Sequence, residues 1–123
     1  MTNPKGTIFS TAVLKWLRGA GAEAEKLVQA GSNDEGDMKV VVAGKTYVFE
    51  LKATKKLDLP SAWKEAEIEA ENYAKARGLE YTPPAYAVIK RSRAGIEKAW
   101  VICSLEAWLK ERGDSIDMKE SRE

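Results

Sequence analysis

Residues 33–53 read NDEGDMKVVVAGKTYVFELKA. Gly36 and Asp37 close a run of turn formers, GSNDEG at 31–36, and MKVVVA follows as a strand. GK then reads as a tight turn, and TYVFELKA as a second strand, rich in Val, Thr, Tyr and Phe. Side chains alternate along a strand, so Val48, Glu50 and Lys52 share one face. Phe49, Leu51 and Ala53 take the other face and feed a core. If the two strands pair through the turn near Gly44, Asp37 falls opposite position 50 or 51. Two carboxylates then meet at one end of a hairpin, with a lysine on the same face as one of them.

Such a pair repels unless a cation lies between its members. Carboxylate oxygens suit a hard divalent ion such as Mg²⁺ or Mn²⁺. The backbone carbonyl of Leu51 offers a further oxygen. Lys52 beside such an ion can orient or deprotonate a water and stabilise charge on a phosphate oxygen. Together these groups suit metal-assisted phosphodiester hydrolysis. Taken singly, a Gly-Asp turn or an exposed Glu/Lys pair is ordinary and worth little. It is the order that is unusual: Gly-Asp, twelve residues of hairpin, then Glu-x-Lys on an apolar strand.

The rest of the chain supplies the frame. At 123 residues, with 44% hydrophobic and 32% charged side chains, it suits one folded domain and not a disordered chain. Residues 1–6 read as a loose lead-in and 114–123 as a frayed tail. Residues 7–18 form an amphipathic helix with Ile8, Phe9, Ala12, Val13, Trp16 and Leu17 on its apolar side. A short strand is expected at 24–30. A long helix spans 57–78, capped by Ser61, or by Asp58 with Pro60 in its first turn. Its apolar face would comprise Trp63, Ala66, Ile68, Ala70, Tyr73 and Ala74, and its glutamates would form a solvated face turned away from any duplex. Strands at 85–91 and 98–104 and a closing helix at 105–113 complete the order αβββαββα, an α/β fold with a mixed sheet flanked by helices.

Composition removes rival chemistries. There is no histidine and one cysteine, Cys103. Ser-His-Asp catalysis, Cys-His catalysis and histidine-bound zinc are therefore excluded. Cys103 lies in the apolar run AWVICSL and reads as a reduced core thiol, in keeping with a cytoplasmic setting. No stretch approaches the roughly 20 apolar residues of a membrane span. The net charge of +1 names no partner by itself, but basic clusters do occur locally. Lys55 and Lys56 follow the Glu-x-Lys strand, and Lys90, Arg91 and Arg93 flank a later turn. All five are candidate contacts to a DNA backbone. Of the four tryptophans, most are expected in a core or interface, and Trp63 is a candidate dimer contact.

The hairpin resembles the core of the PD-(D/E)xK nuclease superfamily, with its aspartate at a strand start and (D/E)xK on the next strand. KGTIF at 5–9, GSNDEGDM, FELKA, the Trp-containing acidic helix and AVIKR extend the likeness over residues 5–103 to archaeal-type and phage Holliday-junction resolvases. The resemblance implies a restriction-endonuclease-like core with a mixed sheet of about five strands. It implies Asp37 and Glu50 as metal ligands, Lys52 as catalytic lysine, Lys90 as a basic position near the site, and Ser32 in a loop that approaches DNA. By the same resemblance the activity is a Mg²⁺- or Mn²⁺-dependent DNA endonuclease, a resolvase of four-way or branched DNA in recombination or phage DNA processing. Symmetric cutting of both strands implies a homodimer. The resolvase pattern also carries a glutamate in the first helix where this chain has Ser10. Asp34, Glu35, Glu65 and Glu69 are the candidates to replace it. Alternative readings are a catalytically impaired nucleic-acid-binding module of the same fold, or a nicking or restriction-type nuclease.

Overall fold

The hairpin is built around a two-residue turn at Ala43 and Gly44, both at positive φ (52° and 79°). That combination matches the right-handed twist of the strands it joins. The turn therefore sits one residue earlier than the GK expected from sequence, and Lys45 opens the second strand opposite Val42. The structure is a computed structural model that describes residues 4–28, 36–54, 56 and 58–113. In chain order it comprises α1 (Pro4–Gly19), β1 (Glu23–Lys26), β2 (Met38–Val42), β3 (Lys45–Lys52), α2 (Leu59–Ala76), β4 (Ala85–Ile89), a 3-10 turn (Ile96–Lys98), β5 (Trp100–Ile102) and α3 (Leu105–Glu111). The expected order of elements holds. The structured chain starts earlier than expected, with α1 beginning at Pro4, and β1 stops at Lys26. Residues 114–123 lie outside the described residues.

The five strands form one sheet in the order β1-β2-β3-β4-β5. β1 to β3 form an antiparallel meander, β4 lies parallel to β3, and β5 returns antiparallel to β4. A parallel pair needs a crossover connection, and α2 supplies it. The result is an α/β fold with a mixed five-stranded sheet and a helix on each face, as expected of a restriction-endonuclease-like core.

The sheet's alternation divides the core in two. On one face, Phe9 and Val13 of α1 pack with Met38, Val40 and Val88 and reach Tyr47, Phe49 and Leu51 of β3. On the other, α2 packs against Val48, Ala85, Ala87 and Ile89. The side of α2 turned to the sheet carries Ala62, Ala66, Ala70 and Ala74, a ridge of methyl groups at four-residue spacing. Small side chains let the helix axis approach the strands closely. The adjacent row, Glu65, Glu69 and Tyr73, is thereby carried toward β3.

Several sequence expectations change here. Ile68 is exposed and Glu69 is buried, so the inward face of α2 is rotated from the expected one and includes an acid. Ile8 and Trp16 are exposed too, because the buried stripe of α1 centres on Phe9 and Val13. Trp63 packs against the core of its own chain. Trp100 and Trp108 lie largely on the surface of the chain. Cys103 is half-buried, and burial pushes its thiol up.

Local chemistry sets the ends of the helices. Asp58 caps α2, its carboxylate accepting from the Ser61 amide at 3.2 Å and hydroxyl at 2.7 Å, with Pro60 in the first turn. Ser104 caps α3 through the Ala107 amide at 3.0 Å. α3 is tied back to the hairpin by Glu111, which accepts from the Tyr47 hydroxyl at 2.6 Å and pairs with Lys45 at 3.2 Å.

One glycine is required by space as well as by φ. Gly36 is buried with φ of 99°, and a methyl group there would fall 2.6 Å from Cγ1 of Val48. Gly36→Ala should therefore cost about 3 kcal/mol of stability, from a strained φ and an overpacked contact together. Urea unfolding measures this directly, and a loss below about 0.5 kcal/mol would show that the backbone there relaxes freely.

Candidate metal and catalytic site

The hairpin register brings Asp37 to Glu50. Met38 pairs with Phe49, and the Asp37 amide donates to the Phe49 carbonyl at 3.0 Å. The Asp37 carbonyl accepts from the Leu27 amide at 3.0 Å, beyond the end of β1. Its carboxylate accepts from the Leu51 amide through Oδ2 at 2.7 Å. Backbone and side chain of Asp37 are thus held from two sides, by β3 and by the residue just beyond β1.

Glu50 occupies the face of β3 under α2 and is 6% exposed. Burial, and then the carboxyls of Asp37 and Glu69 that share hydrogen bonds with it, push its pKa far above the usual carboxylate range. Glu69 is 4% exposed and faces it from α2. Two residues along the same strand face, the Lys52 ammonium lies 2.6 Å from Glu65 and 3.4 Å from Glu50. Burial pulls Lys52 down, but the hydrogen bond to Glu65 and the charge of Glu50 outweigh it, and the net direction is upward. Glu65 is correspondingly lowered, chiefly by its hydrogen bond from Lys52. In this state Lys52 is an ammonium and not a base.

Lys52 thus lies between Glu50 and Glu65, while Asp37 and Glu69 approach the same Glu50 carboxyl. Carboxylate oxygens of Glu50, Glu65 and Glu69 all lie within 4.8 Å of one another. Hard oxygen donors gathered this closely, two of them on buried residues, match a divalent cation of the Mg²⁺ or Mn²⁺ kind. Without a cation, the pair Glu50 and Asp37 can share a hydrogen bond only if one of them holds a proton.

Asp37, Glu50 and Lys52 do come together, and the amide of Leu51 bonds the Asp37 carboxylate. Ser10 contributes no acid, its hydroxyl donating within α1 to the Thr7 carbonyl at 3.1 Å. Of the candidate replacements, Glu65 and Glu69 are at the cluster, while Asp34 and Glu35 lie outside the described residues, as do Ser32 and Lys55. Lys90 and Arg91 follow the end of β4 instead of belonging to it. The Lys90 amide donates to the Lys52 carbonyl at 2.9 Å, while its exposed side chain lines a neighbouring cavity together with Lys56 and Arg91. Arg93 is exposed in a turn, at φ of 58°. Glu69, one of the four candidate replacements, is buried and so departs from the solvated face expected of most of the α2 acids. The signal available was its phase, since 62, 66, 69, 70 and 73 fall on one side of a helix and only 69 among them is charged.

Comparison with known families and with curated proteins gives no match. Among solved structures the chain is similar to Hjc of Archaeoglobus fulgidus, a Holliday junction resolvase from an archaeal hyperthermophile. The identity is 21%, the TM-score 0.50, and the match covers 84% of this chain and 91% of that one. At that identity the likeness is one of fold, and it agrees with the mixed sheet and flanking helices described above.

The burial of Glu50 has a measurable consequence. A carboxyl whose folded pKa is raised binds its proton in the native state after the unfolded chain has lost it. Metal-free stability should therefore fall as pH rises above the ordinary glutamate value of 4.5, by up to about 1.4 kcal/mol per pH unit. Glu50→Gln, which mimics the protonated form, should remove that slope and melt higher than wild type at pH 8 in EDTA. Thermal unfolding across pH 5 to 8 tests this, and parallel curves for the two proteins would show that Glu50 is not the group holding the proton.

Proposed function

We propose that this protein is a divalent-metal-dependent DNA endonuclease acting on branched DNA, with the four-way junction as its first candidate substrate. The observation that carries the proposal is the convergence of Asp37, Glu65 and Glu69 on Glu50, with Lys52 paired to Glu50 and Glu65, at one site of the sheet. The similarity of the fold to a Holliday junction resolvase supports the choice of substrate class.

In this reading Asp37, Glu50 and Glu69 would hold Mg²⁺ or Mn²⁺, with the Leu51 carbonyl as a further oxygen. Such an ion would supply polarisation of a phosphate oxygen and activation of a water. Lys52, kept protonated by Glu65, stabilises charge on a phosphoryl oxygen. Glu65 sets the orientation of Lys52 through the 2.6 Å hydrogen bond. Lys56, Lys90 and Arg91 hold flanking phosphates, and Ser32, Lys55 and Arg93 extend the contact to DNA. Two symmetric cuts require two such sites, so the active form is a homodimer. A cytoplasmic setting, whether in a cell or during phage DNA processing, fits a DNA substrate and an unpaired cysteine.

The test is cleavage of a four-way junction, a flap, a linear duplex and single-stranded DNA, with Mg²⁺, Mn²⁺ or EDTA. Wild type should cut the branched substrates in either metal and nothing in EDTA. Asp37→Asn and Glu50→Gln should lose roughly a thousandfold or more, and Lys52→Ala roughly a hundredfold. Glu69→Gln should lose tenfold to a hundredfold and need more metal for half-maximal rate. No cleavage of any substrate would leave a non-catalytic binding module as the better reading. Cleavage that survives Asp37→Asn and Lys52→Ala would remove the site assignment.

A further inference from the structure

Where β3 and β4 end beside Lys52, a cavity of about 930 Å³ opens, at the upper end of the size that takes small organic ligands. Its described lining includes four basic residues, Lys5, Lys56, Lys90 and Arg91, and no acid. The floor is apolar, formed by strand residues such as Ile89 and Ile102, and Trp100 forms one wall. This is the reverse of the neighbouring carboxylate cluster, with cations at the rim and hydrocarbon inside.

The sheet registers this cavity to the cluster. Lys52 pairs with Ile89, and Ile89 pairs with Trp100. The three residues form one row across three strands and share a face of the sheet. At a strand spacing of about 4.8 Å, Trp100 stands about 10 Å from Lys52 across the sheet. Trp100 is 57% exposed, so a large aromatic surface is left open to solvent at this point. The Arg91 guanidinium lies over one face of that ring, 5.0 Å from its centroid, which puts a cation at the same wall and leaves the remaining exposed surface of the ring for a ligand.

We infer that this cavity binds an unpaired deoxynucleotide next to the cut, its base against Trp100 and the apolar floor and its phosphates on the basic rim. The inference rests on the nuclease reading and adds a preference to it. Charge at the rim matches any polyanion, but paired DNA keeps its base faces stacked and presents only phosphates and base edges. A concave apolar floor with an open aromatic ring has use for a base face, as in proteins that bind single strands by stacking. The site would select branched or partly unpaired DNA over continuous duplex.

The experiment is binding in EDTA, where no cutting occurs. Fluorescence anisotropy compares a blunt duplex with the same duplex carrying a short single-stranded tail, and circular dichroism checks the folding of each variant. Wild type should bind the tailed duplex about tenfold more tightly than the blunt one. Trp100→Ala should abolish that preference. Trp100→Phe should keep it while losing much of the tryptophan quenching that wild type shows on binding the tail. Replacing Lys90 and Arg91 together with alanine should weaken both DNAs and flatten the salt dependence. Equal binding of the two duplexes by wild type, or a preference that survives Trp100→Ala, would overturn the inference. Should Trp100→Ala fail to fold, undiminished quenching in Trp100→Phe would do the same. A polyglutamate peptide that binds while the tail confers no advantage would assign the cavity to acidic peptides instead. A retained tail preference in a protein that cuts nothing would sink the nuclease reading and leave this site standing.

Discussion

The repulsion among Asp37, Glu50 and Glu69 is the constraint to which the rest of the structure answers. Each acid is held by a different element: Asp37 at the start of β2, Glu50 in β3, Glu69 in α2. None can withdraw without cost. Asp37 is bonded through backbone and carboxylate to neighbouring strands. Glu50 lies inside a strand paired on both sides. Glu69 lies between buried Ala66, Ala70 and Tyr73 on the packed side of α2. Such convergence is destabilising by itself. The fold keeps it because the hydrocarbon layers above and below are laid down independently. Functional sites commonly carry a local rule that is broken in this manner and supported elsewhere.

The alanine ridge on α2 is what makes the arrangement possible. Bulkier side chains at 62, 66, 70 and 74 would lift the helix from the sheet and draw Glu65 and Glu69 away from Lys52 and Glu50. The same ridge gives α2 little hydrophobic grip per residue, since each methyl buries little area. The helix compensates with the buried Tyr73, the half-buried Trp63 and a firm Asp58 cap. Packing and chemistry are therefore coupled. Substitutions that enlarge the alanines should act on the site before they act on the fold as a whole.

Much of this was legible in the sequence, for reasons that can be named. The hairpin was, because Val, Thr, Tyr and Phe in alternation specify a strand with two distinct faces, and the register then follows from the turn to within a residue. Asp37, Glu50 and Lys52 followed from that register alone. The order of elements was legible too, because Gly and Pro mark its boundaries. What was not legible is helix phase where apolar residues are small. Alanine signals burial weakly, so Ile68 and Trp63 dominated the expected face of α2, and Glu69 was not singled out from the other candidate acids. Tertiary neighbours decide that contest, and no local pattern records them. The exposure of Trp100 was not legible for a related reason. It sits on a three-residue edge strand, where a strand pattern does not show that one neighbour is missing.

The placement of the acids also bears on Ser10. α1 covers the face of the sheet that carries Phe49 and Leu51, whereas Glu50 and Lys52 face α2. An acid on α2 reaches the cluster directly across the packed interface. Glu65 and Glu69 supply the acids on that side, and Lys52 is already shared between two carboxylates. Ser10 belongs to the helix on the other face, where its hydroxyl bonds the Thr7 carbonyl. The acids of the cluster therefore come from the hairpin and α2, and position 10 contributes none.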